Sequence, residues 1–579
     1  MSVYVEMSDG CKLATDVYLP SGAGPETKLP AIVIFTPYYR RFMVTDAAVE
    51  ASPNIAAYRN FFIRYGYALV VVDVRGTGAS FGYRDSLRSP RERKDCADIA
   101  DWIISQPWSS GVIGSTGISY LGAAACFLAS TGHPAVKAIA PLFAVSDIYN
   151  EQLFPGGMLS RVWSTAYDEL MQALDQNDTA LREKFPYYSD KRLLGPQPVD
   201  DDADGTLMRE AVAMHRNNFS LHDMMPELAF RDEGPLHDPF LKTDACSPFF
   251  YLKRGIRPNL PVYSVSGWYD GGGYANGSIS RYLTLRGPHD RLLLGPWDHG
   301  ARVNVSPWRN QVTPEFSLLG EILRFFDEHL LGMDTGLAQE QPVHYHSMHE
   351  ESWHAAADWP PLNDNERYYF REAGTLGSEP VTTAKSTAYE VRFDFSTGRN
   401  TRWERLGTAN ITDYYQDWRG KDVDLLNFTA EPFSTDVQIT GHVIANLRVA
   451  SSKPDTALFV YMSEVEPDGA THYITEGQIR VLHRKTSPAP PEYCTAWPYR
   501  SFYRSDASLM QPHISELVVF ALLPVSWTLK AGSRLRISLS GADREHFPAI
   551  PNGRPNTLFI NLGDDETGSY IDIPVKNKI

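Results

Sequence analysis

Seven consecutive residues, Ala68-Leu-Val-Val-Val-Asp-Val74, carry almost no polar break. A strand with one wet face alternates polar and apolar residues. A strand that is apolar throughout belongs inside a sheet covered on both sides, as parallel sheets flanked by helices are. The surrounding sequence fits that setting. Residues 31–35 form a second apolar run, and 56–65 read as a helix closed by Gly66. Residues 91–106 have helical spacing at Ile99, Trp102 and Ile103. Residues 111–117 form a short strand, 119–130 a helix of small residues, and 136–140 the next strand. Residues 3–7 and 15–19 flank the turn Ser8-Asp9-Gly10 as an opening hairpin. This alternation predicts a doubly wound α/β sheet.

The texture changes near Asn150. Residues 150–244 are rich in Met, Leu and charge, with helical stretches at 161–176 and 207–217, and read as an insertion laid over the sheet. The α/β pattern then resumes, with strands at 260–265 and 290–294 and an amphipathic helix at 315–331. Beyond Gly332, turn-punctuated strands are expected at 368–371, 389–395, 437–450, 457–465, 477–482, 515–523, 534–540 and 557–561. The 42 glycines and 40 prolines, scattered along the chain, agree with such a turn-rich β unit. The expected division is a first core segment 1–149, a helical insertion 150–245, a second core segment 246–335 and an all-β sandwich or jelly roll 336–579.

The net charge of −16 disfavours non-specific nucleic-acid binding and anionic membrane surfaces as partners. Five widely spaced cysteines give neither a disulfide framework nor a CxxC zinc pattern. No apolar run approaches a membrane span, and the N-terminus does not read as a signal peptide, so the cytoplasm is the expected location.

The chemistry centres on Gly114-Ser-Thr-Gly117-Ile-Ser119-Tyr120-Leu-Gly122, between an expected strand and an expected helix. A serine on so sharp a turn needs small neighbours, and Gly117 stands two residues before Ser119 as a nucleophile elbow requires. The second glycine falls at 122, one place later than in the common form. Two further motifs follow sheet strands: Gly267-Trp268-Tyr269-Asp270 and Gly295-Pro-Trp297-Asp298-His299-Gly300. A serine, an acid and a histidine therefore lie past C-terminal strand ends, where open α/β sheets bind ligands, in the order of α/β-hydrolases. His299 can take the Ser119 proton near neutral pH, and Asp270 can hold the imidazole tautomer. Asp147, after the strand at 136–140, is the rival acid. Asp298 reads as a surface or loop-structuring residue.

With these residues in place the chain resembles the CocE/NonD hydrolases, the cocaine-esterase-like acyl esterases related to Xaa-Pro dipeptidyl-peptidases and α-amino-acid ester hydrolases. The resemblance covers nearly the whole chain through "MSDGCKLATDVYLP", "TPYYR", "VVVDVRGTGAS", "GISYLG", "GWYDG" and "GPWDHG", with "RLRISLSGADREHFPA" in the last segment. The late glycine is this family's own elbow. The resemblance implies an α/β-hydrolase core with a helical cap insertion and a C-terminal jelly roll. It also implies the triad Ser119, Asp270 and His299, and an oxyanion hole made by the Tyr38 hydroxyl and the Tyr120 backbone N–H. Tyr39 is the neighbour most easily confused with Tyr38. Trp163 in the insertion and Trp268 beside the acid are candidate pocket walls, and Trp403 is a further aromatic within reach of this reading.

His344, His346 and His349 lack supporting carboxylate or cysteine spacing, and the resemblance implies neither metal nor cofactor. Arg75-Gly-Thr-Gly78 lacks the spacing of a nucleotide loop. The acidic run 200–204 reads as a solvated loop able to attract an amine. The leading expectation is hydrolysis of small-molecule esters, or amides, through an acyl-serine. The alternatives are an aminopeptidase or acylase, an acyltransferase or natural-product hydrolase, and a catalytically silent binding protein. The acid loop continues Gly271-Gly-Gly-Tyr274 with no extra carboxylate for a substrate amine, which favours the plain esterase. Homo-oligomerisation is compatible with everything above.

Overall fold

The computed structural model describes residues 1–576 except 25, 237, 362–363, 383, 405–414, 416–417 and 419. Its first sheet has ten strands: β1 (Ser2–Glu6), β2 (Lys12–Tyr18), β3 (Leu29–Thr36), β4 (Ala68–Asp73), β5 (Ser109–Ile118), β6 (Val136–Leu142), β7 (Tyr263–Gly267), β8 (Arg291–Gly295), β9 (Val343–Ser347) and β10 (Ser352–Ala356). Their spatial order is β1-β2-β4-β3-β5-β6-β7-β8-β9-β10. From β4 to β9 every neighbouring pair is parallel. The opening hairpin and the last strand are antiparallel. All six residues of β4 are buried, as its unbroken apolar run requires.

Helices cover both faces. Pro90–Ser105 opens with a capping box, in which Ser89 and Glu92 satisfy each other's end of the helix. Tyr120–Ser130 is buried along its whole length, which explains its small residues. Leu318–Leu331 packs Ile322, Phe325 and Phe326 into the same core as Ile32, Val70 and Ile113.

Between β6 and β7 the chain forms the helices Arg161–Asp175 and Thr206–Met214, with several single-turn pieces. Buried ion pairs tie this segment to the sheet: Arg84 to Asp175, and Arg231 to Asp147. A short antiparallel pair, Phe42–Val44 with Leu193–Pro196, adds a second tie. The acidic run is solvated at Asp200, Asp201 and Asp204 as expected, with Asp202 alone buried, and it also serves the local structure. Asp200 accepts from the Ser2 N–H at 2.8 Å, and Asp202 accepts the first N–H groups of the helix Thr206–Met214.

The C-terminal region carries a second, thirteen-stranded sheet that is antiparallel apart from one short pair. The strands Ala457–Val465 and Arg534–Ser540 fall where the sequence places them. The run 437–450 is two strands, Val437–Gly441 and Ile444–Ser451: both touch Tyr570–Val575, but the first pairs mainly with Val525–Leu529 and the second with Glu516–Ala521. The strand expected at 389–395 lies at Lys385–Glu390. Strands at Leu426–Ala430, Val525–Leu529 and Tyr570–Val575 are not among those expected, although each alternates apolar and polar residues over five or six positions; the last contains Pro574, a residue rare inside strands. Strands β9 and β10 extend the first sheet past residue 335. The core of the second sheet continues into the first unit: Trp268, Tyr269, Leu292 and Leu294 share one apolar cluster with Phe370, Ile439 and Ile537.

Candidate active site

Ser119 caps the N-terminus of helix Tyr120–Ser130, directly after β5, at φ 66° and ψ −119°. A non-glycine residue at positive φ is strained and persists only where the surroundings hold it. Here its N–H donates to the Leu142 carbonyl at 2.9 Å, and its own carbonyl accepts the Ala123 N–H at 3.0 Å. The two flanking glycines permit the turn. A Cβ on Gly117 would stand 2.3 Å from the Leu121 Cβ, and one on Gly122 would stand 2.6 Å from the Gly117 carbonyl oxygen. The late glycine is therefore where the helix crosses closest to the strand that feeds it.

Asp270 follows β7 and is buried. Its Oδ2 accepts the Ser266 hydroxyl at 3.0 Å, and its Oδ1 accepts from His299 Nδ1 at 2.6 Å. His299 follows β8 and is partly exposed, with the edge of its ring against Tyr274 at 5.1 Å between centroids. Asp147 is committed elsewhere: it pairs with Arg231 and accepts the Tyr149 N–H at 3.0 Å. Asp298 is buried rather than superficial. It accepts the Arg302 and Val303 N–H groups and the Arg302 guanidinium, so it shapes the loop that carries His299.

Tyr38 lies just past β3, with its ring at 6.4 Å and 71° to that of Tyr120. Burial pushes its phenol well above the usual value, so the hydroxyl keeps its proton at neutral pH and can donate. Its hydroxyl meets that of Tyr167 at 3.3 Å. Tyr39 points away, donating to the Leu174 carbonyl. Tyr120 begins its helix, and the first N–H groups of a helix have no intrahelical acceptor. Its phenol donates to Glu92, whose carboxyl burial pushes up to about 7.

Trp163 stacks on Tyr167 at 5.0 Å and 10°, and so reaches Tyr38 through one intermediary. It also lines a small cavity with Tyr274, Gly272, Arg402 and Trp403. Trp268 is not brought to that cavity. It is fully buried against Trp359, and its indole N–H donates to the His346 carbonyl at 2.8 Å, which holds the acid loop from behind. Among the described residues no group of three His, Cys, Asp or Glu is arranged to hold a metal ion, and His349 instead pairs with Glu464 at 3.0 Å.

The sequence reading missed Tyr167, Arg88, Tyr274 and Arg402. Arg88 places its guanidinium 5.0 Å from the centre of the Tyr120 ring, and its Nε and Nη1 have no acceptor among the described residues. Tyr274 could have been found, since it ends the glycine run of the acid loop. Arg402 comes from more than 100 residues beyond His299 and carries no local signal.

Comparison with known proteins adds a lineage to this geometry. Residues 9–301 match the family model described as X-Pro dipeptidyl-peptidase (S15 family), and residues 335–566 match its C-terminal non-catalytic domain. A Mycobacterium bovis protein provisionally named a serine esterase is 37% identical over 600 residues, covering 99% of this chain and 95% of its own. The cocaine esterase of a Rhodococcus species is 26% identical, covering 84% of each chain. Among solved structures, a CocE/NonD family hydrolase from Staphylococcus aureus superposes with a TM-score of 0.72 at 18% identity, over 99% of this chain and 93% of its own. An α-amino acid ester hydrolase gives 0.70 at 19%, over 100% and 96%. These two establish the shared fold.

Proposed function

The chain belongs to the X-Pro dipeptidyl-peptidase (S15) family, and within it we propose that it is a serine esterase that hydrolyses small-molecule carboxylic esters through the triad Ser119, His299 and Asp270. The observation that carries this reading is the 2.6 Å hydrogen bond between Asp270 and His299 Nδ1. It leaves Nε2 as the basic nitrogen, at the same sheet edge as the strained Ser119 turn. The relatives named serine esterase and cocaine esterase support it.

The chemistry follows from these positions. His299 Nε2 takes the proton of Ser119 as Oγ bonds to the ester carbonyl carbon, and Asp270 stabilises the imidazolium that forms. The carbonyl oxygen becomes an oxyanion, for which the Tyr38 hydroxyl and the Tyr120 N–H are the donors. Collapse breaks the carbon–oxygen bond to the alcohol, which leaves with the proton from His299. Water then repeats the sequence on the acyl-serine, releasing the acid and restoring the serine.

Trp163 serves as a pocket wall, whereas Trp268 supports the acid loop. Residues 1–149 and 246–335 act as one catalytic core, 150–245 as its cap and 336–579 as the β unit, although β9 and β10 join the first sheet. The esterase reading outranks an aminopeptidase. The carboxylates of Asp200 and Asp202 are engaged by backbone N–H groups, and the acid loop offers glycines where an amine would need acids. Amide substrates remain within reach of the same chemistry. Among the described residues no helix is long and apolar enough to cross a membrane.

Ser119→Ala is expected to abolish turnover of p-nitrophenyl acetate and labelling by a fluorophosphonate probe, with circular dichroism unchanged. Turnover at the wild-type rate in that variant would refute the assignment.

A further inference from the structure

A narrow recess of about 10 Å³, room for a single water-sized group, lies beside the proposed base. Trp163 from the cap, Trp403 from the β unit, and Tyr274 and Gly272 from the acid loop line it, and the Tyr274 ring reaches His299. Gly272 keeps it open, since a Cβ there would stand 3.0 Å from the Trp403 ring and 2.9 Å from the Glu151 carbonyl oxygen.

Gln152, Ser160 and Arg402 complete the wall, and the Gln152 Oε1 has no donor among the described residues. Arg402 is 1% exposed, and its Nε and Nη2 have no acceptor among the described residues. Its nearest anion is Glu476, 3.8 Å from Nε and so beyond a hydrogen bond. Glu476 is held by other donors: the Tyr415 hydroxyl at 2.7 Å, the Tyr473 hydroxyl at 2.9 Å and the Trp403 indole at 3.1 Å. A buried guanidinium with unmet N–H groups is costly, and an incoming acceptor removes that cost. Glu476 already balances the charge. A ligand carboxylate would place a second anion in the same buried space, whereas a neutral oxygen takes the N–H without that repulsion.

We propose that Arg402 is a specificity residue of the ester site, donating to a neutral oxygen acceptor (a ketone, ether or hydroxyl oxygen) that the substrate carries away from its scissile carbonyl, that oxygen alone entering the recess beside the two indoles. This rests on the serine-esterase reading above. The oxygen can sit on the acyl or the alcohol half of the ester, and two matched pairs separate these sources. Ethyl 4-oxopentanoate against ethyl pentanoate tests the acyl half. 2-Methoxyethyl acetate against butyl acetate tests the alcohol half.

With kcat/KM measured by pH-stat and normalised to hydroxide rates, one oxygenated ester is expected to exceed its plain partner by at least ~10-fold. Arg402→Met should bring that ratio close to one, and Arg402→Lys should retain part of it. Each ratio is internal to one enzyme preparation, so a general loss of activity cancels, and the wild-type ratios stand if a variant does not fold. Ratios near one in both wild-type pairs would overturn the proposal. So would a preference that persists in Arg402→Met, or one for monoethyl glutarate over the keto ester. Turnover that is absent, or that survives Ser119→Ala, would overturn the esterase reading and this inference with it. Ser119-dependent turnover with flat ratios would overturn the inference alone.

Discussion

Among the described residues the Tyr38 hydroxyl has a single hydrogen-bond contact, Tyr167 at 3.3 Å, a weak bond by its length. The ring makes an edge contact with Tyr120, and the proposed mechanism assigns the hydroxyl to the oxyanion. Tyr38→Phe keeps the ring and removes the donor. It is expected to lower kcat by ~10²–10³, the usual effect of losing one oxyanion donor, with a much smaller change in KM. Steady-state kinetics on p-nitrophenyl esters measure this, and a kcat within a factor of three of wild type would remove Tyr38 from the oxyanion hole. Tyr39, one residue on, sends its hydroxyl to the Leu174 carbonyl. Sequence alone could name both tyrosines, and only the family resemblance chose between them.

At the scale of elements, the elbow depends on a strand and a helix packed closer than side chains allow. Gly122→Ala is expected to displace the helix start, because its Cβ would lie 2.6 Å from a backbone oxygen and 2.9 Å from the Ala144 Cβ, neither free to move. Loss of at least ~10²-fold in kcat/KM should follow, since misplacing a nucleophile by about an ångström costs that much. A fluorophosphonate labelling rate equal to wild type would contradict it. The elements of the first sheet were the most legible, because a buried parallel strand such as β4 is apolar throughout and its glycines mark turns. Strands β9 and β10 were less so. His344 and His346 read as a possible cluster, and the exposed half of Ser352–Ala356 gives no alternation to follow. The site was legible wherever its residues sit in one local motif after one strand. Arg402 and Tyr167 were not, since tertiary packing alone brings the one to the cavity beside Tyr274 and the other to the Tyr38 hydroxyl.

At the scale of the whole molecule, buried ionisable groups set the pH response. Burial pushes the Glu92 carboxyl up to about 7 and that of Glu151 up to about 8, so each favours the folded state while protonated and withdraws that stability as pH rises through its folded value. Desolvation pushes the buried imidazoles of His346 and His483 and the half-buried one of His329 down to about 4, and that of buried His442 to about 3. They contribute stability above about 6.5 and lose it as pH falls toward those values. The two sets oppose each other below about pH 6.5, and above it only the glutamates still titrate. The thermal midpoint is therefore expected to fall between pH 6.5 and 8.5, with a shallower fall in Glu151→Gln. A midpoint that rises across that range would refute the account. The shared apolar cluster has a further consequence. Trp268 and Tyr269, just before Asp270, are seated by side chains from the β unit, among them Trp359 and Tyr473. A chain emerging from the ribosome has made Ser119, Asp270 and His299 with nearly half its length still to come, a wait of tens of seconds at ordinary elongation rates. Until the β unit is made, the turn into Asp270 lacks these contacts, so under the proposed mechanism a nascent polypeptide is expected to attack esters in its surroundings only once that unit has folded.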